Sequence, residues 1–167
     1  MNNRQKWAIF ALFIPLLALS GLTWDKHQRM VQGEEVLLPI VGFDPRDLLS
    51  GHYLTYQIEY GIQKLCTDQS STQKSTPGYI LLNPAEFSLW PPHPGRIFIK
   101  GACEKGRFKA GIERFYIPQE HATLLDKVVR GKQGKILLSV FFDGRAQVKN
   151  LLINDQPWQQ FIADNTP

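Results

Sequence analysis

From Trp7 to Trp24 the chain reads WAIFALFIPLLALSGLTW, 18 residues without a charge and apolar on nearly every helical face. A run of that length reaches the lower limit for crossing the hydrocarbon core of a bilayer, so residues 7–24 are predicted to form a transmembrane helix, with Pro15 tolerated at mid-span. Downstream the period changes. In residues 34–43, Val36, Leu38 and Ile40 share one strand face, and Pro39 points to an edge or a bulge. Leu54, Tyr56, Ile58, Tyr60 and Ile62 then alternate with Thr55, Gln57, Glu59 and Gly61, the pattern of a long half-buried strand. The stretch joining these two strands is heavily specified. Asp44 suits the cap of a short helical turn, Pro45 its first position and Asp47 its first-turn acid, Leu48 and Leu49 pin it to the core, and Gly51 ends it.

Residues 67–76 carry no apolar periodicity and read as an exposed loop. A short strand follows at 78–82, then a Pro-rich connection at 83–94 that holds Phe87, Leu89 and Trp90. Strands at 96–103 and 107–117 flank Glu104, Lys105 and Gly106, the composition of a hairpin turn. Residues 120–130 place Ala122, Leu125, Val128 and Val129 at helical spacing, with Lys127 and Arg130 near the end and Gly131 beyond. Residues 135–142 put Ile136, Leu138, Val140 and Phe142 on one strand face, and Asp143-Gly144 predicts a two-residue hairpin turn. On the returning strand Ala146 and Val148 give way to Leu151 and Ile153, a change of parity that predicts a bulge at Lys149 or Asn150.

Seven candidate strands without βαβ alternation predict a mainly β domain with one soluble helix (α+β). Its expected form is an antiparallel barrel-like or curled sandwich domain behind a single N-terminal transmembrane helix. Arg4 and Lys6 immediately precede the apolar run, so the positive-inside tendency keeps the N-terminus in the cytoplasm and exports the chain from Asp25 onward. The map is residues 1–6 cytoplasmic, 7–24 anchor, 25–33 stalk or helical extension, and 34–167 a single periplasmic β domain. Trp7 and Trp24 would mark the two interfaces. The rival is a cleaved signal peptide, since Ala18 and Ser20 are small residues at the positions inspected before Gly21. That reading releases the domain into the periplasm. The apolar run continues past this site, which favours the retained anchor.

Charge changes the picture little. Nineteen Lys and Arg against 15 Asp and Glu, scattered among strands and turns, make no concentrated basic face, so nucleic acid is not an expected partner. His27, His52, His93 and His121 lack the close spacing of a metal motif, and no nucleophile elbow, phosphate-binding loop or dinucleotide fingerprint is present. No catalytic residue, metal or cofactor is therefore assigned, and the expectation is a non-catalytic binding domain. The enzyme alternative is a membrane-anchored Ser/Lys hydrolase using Ser50, for which no lysine partner is marked. Binding candidates are Asp44, Arg46 and Asp47, whose guanidinium and carboxylates equally satisfy the turn; Gly51, His52 and Tyr53 beside them; and Trp90, which rigid prolines hold out. Other aromatics, among them Phe87, Phe115, Tyr116, Phe141, Phe142 and Trp158, are expected in the core or at its edge. Cys66 and Cys103 are the two cysteines of the chain, and an oxidising compartment predicts a disulfide between them, two separate buried thiols being the alternative.

The stretch DPRDLLSGHYLTYQI resembles the GDYXXLXY family of bacterial membrane-anchored proteins. Gly51 and Tyr53 stand at that motif's Gly and Tyr, while His52, Tyr56 and Ile58 replace its Asp, Leu and final Tyr. The resemblance extends upstream through residues 33–43 and downstream through GIERFYIP, LLDKVVRGK and FFDGRAQVKNLLIND, most of the chain. It implies an anchored protein of the bacterial inner membrane and a companion polytopic membrane protein as partner.

Overall fold

The computed structural model describes residues 3–43, 53–62, 65–66 and 75–165. The chain forms two compact units, residues 1–32 and 33–167. The first is one helix, α1 (Asn3–Gln32), whose 30 residues correspond to a length of about 45 Å. It runs through Pro15 and past Trp24, so residues 25–32 are a helical extension. Phe13, Ile14, Leu16, Leu17, Leu19 and Leu22 are exposed, and steps of about 100° spread them around the whole helix. Among the described residues no helix is long and apolar enough to cross a membrane. The side chains at 8–10 and 12, inside the apolar run, lie outside the described ones.

The second unit is mainly β. Its strands are β1 (Glu34–Phe43), β2 (Tyr53–Ile58), β3 (Thr76–Leu82), β4 (Ala85–Ser88), β5 (Phe98–Glu104), β6 (Arg107–Lys109), β7 (Arg114–Tyr116), β8 (Gly134–Val140), β9 (Ala146–Ile153) and β10 (Gln156–Pro157). Two helices accompany them, α2 (Gln119–Arg130) and α3 (Trp158–Asn165). The strands make a six-stranded sheet, β10-β9-β8-β1-β2-β7, and a four-stranded sheet, β4-β3-β5-β6. All pairings are antiparallel. Together they form a curled antiparallel half-barrel. Ile40, Leu54, Tyr56, Ile136, Leu138 and Leu151 of the larger sheet share one core with Ile80, Ile99 and Phe108 of the smaller. Leu125 and Val129 of α2 seal that core, and Gly134 leaves room for Val129 and Ile40 to meet.

Several elements differ from the expectation, each for a local reason. The strand expected over 107–117 is broken. After β6 the chain turns at Gly111, with φ of +81°, and the Glu113 carboxylate accepts the Ala110 N–H at 2.6 Å and the Gly111 N–H at 2.9 Å. Residues 114–116 consequently leave β5 and pair with β2 as β7. Pro39 is on neither an edge nor a bulge, because β1 lies between β8 and β2. Its carbonyl accepts the Glu59 N–H, and since N and C=O of one strand residue face the same side, its missing N–H also faces the chain beyond the end of β2. The bulge of β1 falls at residues 41–43 instead. The long second strand stops at Ile58, and Gly61, with φ of +72°, turns the chain.

The Pro-rich connection contains β4, four residues with Phe87 alone as a large apolar side chain. The Asp143-Gly144 turn is a three-residue loop. Phe141 and Arg145 close it, Gly144 donates to the Phe141 carbonyl, and Asp143 accepts the Arg145 N–H. β8 therefore ends at Val140, and Phe142 sits in the turn at 82% exposure rather than on the core face. Tyr116 is likewise exposed. The expected bulge is present at Lys149, the residue skipped where Leu137 faces Asn150 and Leu138 faces Val148. The helix expected at residues 120–130 is present as α2, and a further helix, α3, joins it. It follows directly on Pro157 and buries Ile162.

Candidate functional site

Two features of the β unit offer surfaces that a partner or ligand can use. The first is the loop after β4. The Ser88 hydroxyl accepts the Trp90 N–H at 3.1 Å and donates to the Trp90 carbonyl at 2.9 Å, which fixes the backbone as a tight turn. At the base, Arg96 Nη2 donates to the Asn83 carbonyl at 2.8 Å, and the Leu82 N–H donates to the Ile97 carbonyl at 3.2 Å. Pro91, Pro92 and Pro94 stiffen what lies between. Trp90 is held out at 79% exposure beside the exposed Leu89. Such an indole loses little freedom on burial, which is what makes tryptophan an effective anchor at interfaces.

The second feature is a cavity of about 580 Å³ at the seam of the two sheets. β2 supplies Tyr56 and Ile58, the chain beyond it Tyr60 and Leu65, the β5–β6 hairpin Arg107, Phe108 and Lys109, and the following turn Glu113. The disulfide Cys66–Cys103, with Cα atoms 5.6 Å apart, ties the segment holding Leu65 to β5. Phe108 fills the space over Gly78 and Gly101, where a Cβ would meet its ring, and Tyr60 packs edge-on against it at 5.7 Å and 90°. One wall is therefore rigid.

The two tyrosines of this cavity differ in their bonding. Tyr56 donates its hydroxyl to the Ile112 carbonyl. The Tyr60 hydroxyl is buried and has no hydrogen-bond partner among the described residues. Burial raises both hydroxyl pKa values well above the usual tyrosine range, the Glu113 charge adds to this, and Tyr60 contributes a further push on Tyr56. Both are protonated donors at any physiological pH. Lys109 is paired with Glu104 at 3.0 Å.

Of the binding residues expected from sequence, Asp44, Arg46, Asp47, Gly51 and His52 lie outside the described residues, as does Ser50. Tyr53 is described in its backbone alone, opposite Tyr116 at the start of β2. Trp90 is far along the chain, in the other sheet's connection. Among the described residues, no three His, Cys, Asp or Glu side chains gather as a metal site. His121 instead lies 3.4 Å from Glu120 and beside Trp158. The seam cavity had no sequence motif. Its one legible trace is that Tyr60 continues the buried parity of Leu54, Tyr56 and Ile58 beyond the point where strand pairing ends.

A family model described as GDYXXLXY protein matches residues 15–151. No curated protein and no solved structure is similar enough to this chain to count as a match.

Proposed function

Because the chain belongs to the GDYXXLXY family, we propose that it is a single-pass bacterial inner-membrane protein whose periplasmic β domain, residues 34–167, binds another protein without catalysing a reaction. Residues 7–24 of α1 anchor it, the N-terminus is cytoplasmic, and the partner is a polytopic membrane protein to which this chain is an accessory. The observation that carries the binding reading is Trp90, an indole 79% exposed on a loop braced at both ends. A monomer has no folding reason to brace a loop around an exposed indole, whereas a partner surface gains a pre-ordered anchor. The anchor reading is supported by exposed apolar side chains spread around α1 and by Arg4 and Lys6 just ahead of its apolar run, a distribution that suits lipid and not one buried face.

Two measurements test this. Membranes washed at alkaline pH are expected to retain the chain at its full mass; a soluble form beginning at Gly21 would mean that a signal peptide is removed. Co-purification from gently solubilised membranes is expected to recover a polytopic protein, and Trp90→Ala is expected to reduce its recovery about tenfold or more, the cost of losing a central tryptophan anchor being at least ~1.4 kcal/mol. Recovery unchanged in Trp90→Ala, with the unfolding midpoint also unchanged, would place the contact elsewhere.

A further inference from the structure

We propose that Phe142, at the tip of the β8–β9 hairpin, is a second membrane contact of this chain: its ring enters the headgroup layer of the bilayer that holds α1 and docks the β unit on the lipid surface. The inference rests on the anchor reading of residues 7–24 and is separate from the docking role of Trp90, which lies in a different loop.

Folding gives no reason for the position of this ring. Phe142 occupies a turn, where glycine and small polar residues are the ordinary choice, and it is 82% exposed. The turn beneath it is fixed. The Phe141 N–H donates to the Arg145 carbonyl at 2.9 Å, the Gly144 N–H to the Phe141 carbonyl at 2.9 Å, and the Lys100 N–H reaches the Gly144 carbonyl at 2.7 Å. The Phe141 ring lies 4.3 Å from that of Phe142, centroid to centroid. An aromatic held outward on an ordered turn has little freedom left to lose when a surface covers it.

Strand register gives the tip its direction. β1 begins at Glu34, which pairs with Val140, the last residue of β8. β8 is antiparallel to β1, so it runs toward the point where the chain enters the β unit, and Phe142 lies two residues further on, about 7 Å. Gly33 alone separates Glu34 from α1, and the helix rises about 12 Å from Trp24 to Gln32. With Trp24 at the interface, the headgroup layer beyond it is roughly 5–8 Å deep. A tip that extends past the entry point on so short a tether is within reach of that layer. Tyr116 is exposed as well but stands at the other end of the sheet. It faces Tyr53, beyond the pairing of Tyr56 with Phe43, and the ten residues of β1 put that end about 30 Å from Glu34.

The charges around the tip favour a lipid surface over an acidic or basic partner. Arg145 Nε pairs with Asp143 at 3.1 Å and Lys149 Nζ with Glu35 at 2.6 Å, and the exposed Glu34 and Lys100 are opposite in sign. The rim therefore carries no excess of either sign, and the apolar ring makes the contact. A single aromatic binds lipid weakly from solution. Here the tether makes the contact intramolecular, at an effective concentration on the order of millimolar, and a weak contact suffices.

The test places one full chain in each phosphatidylcholine nanodisc, with a nitroxide high on the acyl chains of a fraction of the lipids, and reads paramagnetic broadening of the backbone amides. Broadening is expected at residues 16–22 of α1 and at residues 141–145, and not at Tyr116. Phe142→Ser is expected to reduce the broadening at 141–145 about threefold or more, while that of α1 and the unfolding midpoint stay as they were; Phe142→Trp is expected to keep it. Absence of broadening in α1 would remove the anchor reading and this proposal with it. Broadening in α1 without any at 141–145 would overturn this proposal alone. Broadening at 141–145 that persists in Phe142→Ser would show that the ring is not the contact. Changes at 141–145 that arise only with two chains in a disc would assign Phe142 to a second copy of the chain, which equally overturns the lipid contact.

Discussion

At the scale of single residues, burial of polar groups that also titrate makes the seam the chemically distinctive part of this chain. Tyr56 and Tyr60 both have hydroxyls raised above the ordinary tyrosine pKa of 10.0, first by desolvation and then by Glu113. Well below pH 10 these groups are protonated whether the chain is folded or not, so there they leave the pH dependence of stability unchanged. As pH rises above 10, the unfolded chain loses these protons first while the folded chain keeps them. Stability therefore falls, by at most about 1.4 kcal/mol per pH unit for each tyrosine, until the folded hydroxyls also ionise. Urea unfolding of the intact chain between pH 9 and 11.5 measures this. Tyr56→Phe and Tyr60→Phe are each expected to flatten the decline by one tyrosine's share. They differ at neutral pH, since Tyr56→Phe strips the buried Ile112 carbonyl of its donor and costs about 1–3 kcal/mol, whereas Tyr60→Phe breaks no bond among the described residues.

At the scale of elements, the β8–β9 hairpin links the two sheets, and its turn residue is decisive. Gly144 donates to the Phe141 carbonyl, takes φ of +79°, and offers its own carbonyl to the Lys100 N–H at 2.7 Å, on the part of β5 that β6 leaves unpaired. A Cβ there would collide with the Phe98 ring. Gly144→Ala thus combines a left-handed backbone, which costs about 1–2 kcal/mol for a residue with a Cβ, with a steric overlap against an aromatic ring. The expected loss exceeds about 2 kcal/mol in chemical unfolding, with the slope of the transition unchanged. A loss under about 1 kcal/mol would mean that Phe98 moves freely and that the hairpin is not held by this contact. The dipeptide Asp143-Gly144 announced a turn because its residues favour positive φ. The loop length was not legible, since it depends on Phe141 closing against Arg145 and not on the two turn residues. The bulge at Lys149 was legible because a change of parity between Val148 and Leu151 has no other simple cause. The break after β6 was not, because Ile112, Phe115 and Ile117 are all apolar enough to continue a strand. What diverts the chain is a carboxylate folding back onto two amides.

At the scale of the molecule, period-two patterning predicted a mainly antiparallel β unit, but it could not assign strands to sheets. That choice is made by long-range contacts, such as β7 pairing with β2 and Gly144 reaching β5. The seam cavity exists only once the sheets are placed, so no local signal announces it. Trp90 was legible, because an indole among prolines is a local statement. The covalent link across the seam has the most direct consequence for the whole unit. Cys66 comes after β2 of the larger sheet, and Cys103 lies on β5 of the smaller, 37 residues away, so the bridge spans the parts that the sheets themselves join least continuously. Closing a loop of that length removes chain entropy from the unfolded state worth about 4 kcal/mol, before any cost in the folded state. Reduction is therefore expected to lower unfolding stability by a few kcal/mol, a large share of the roughly 5–15 kcal/mol typical of a domain. It should also loosen Leu65, the cavity wall next to Cys66, before β8 and β9 are affected. Mass analysis of exported protein under non-reducing conditions should find the pair oxidised. Hydrogen exchange with and without reductant then reads the rest: faster exchange concentrated at residues 60–66 and 98–109 is the expected pattern, while a uniform change over both sheets would mean that the bridge supports global stability without holding the seam.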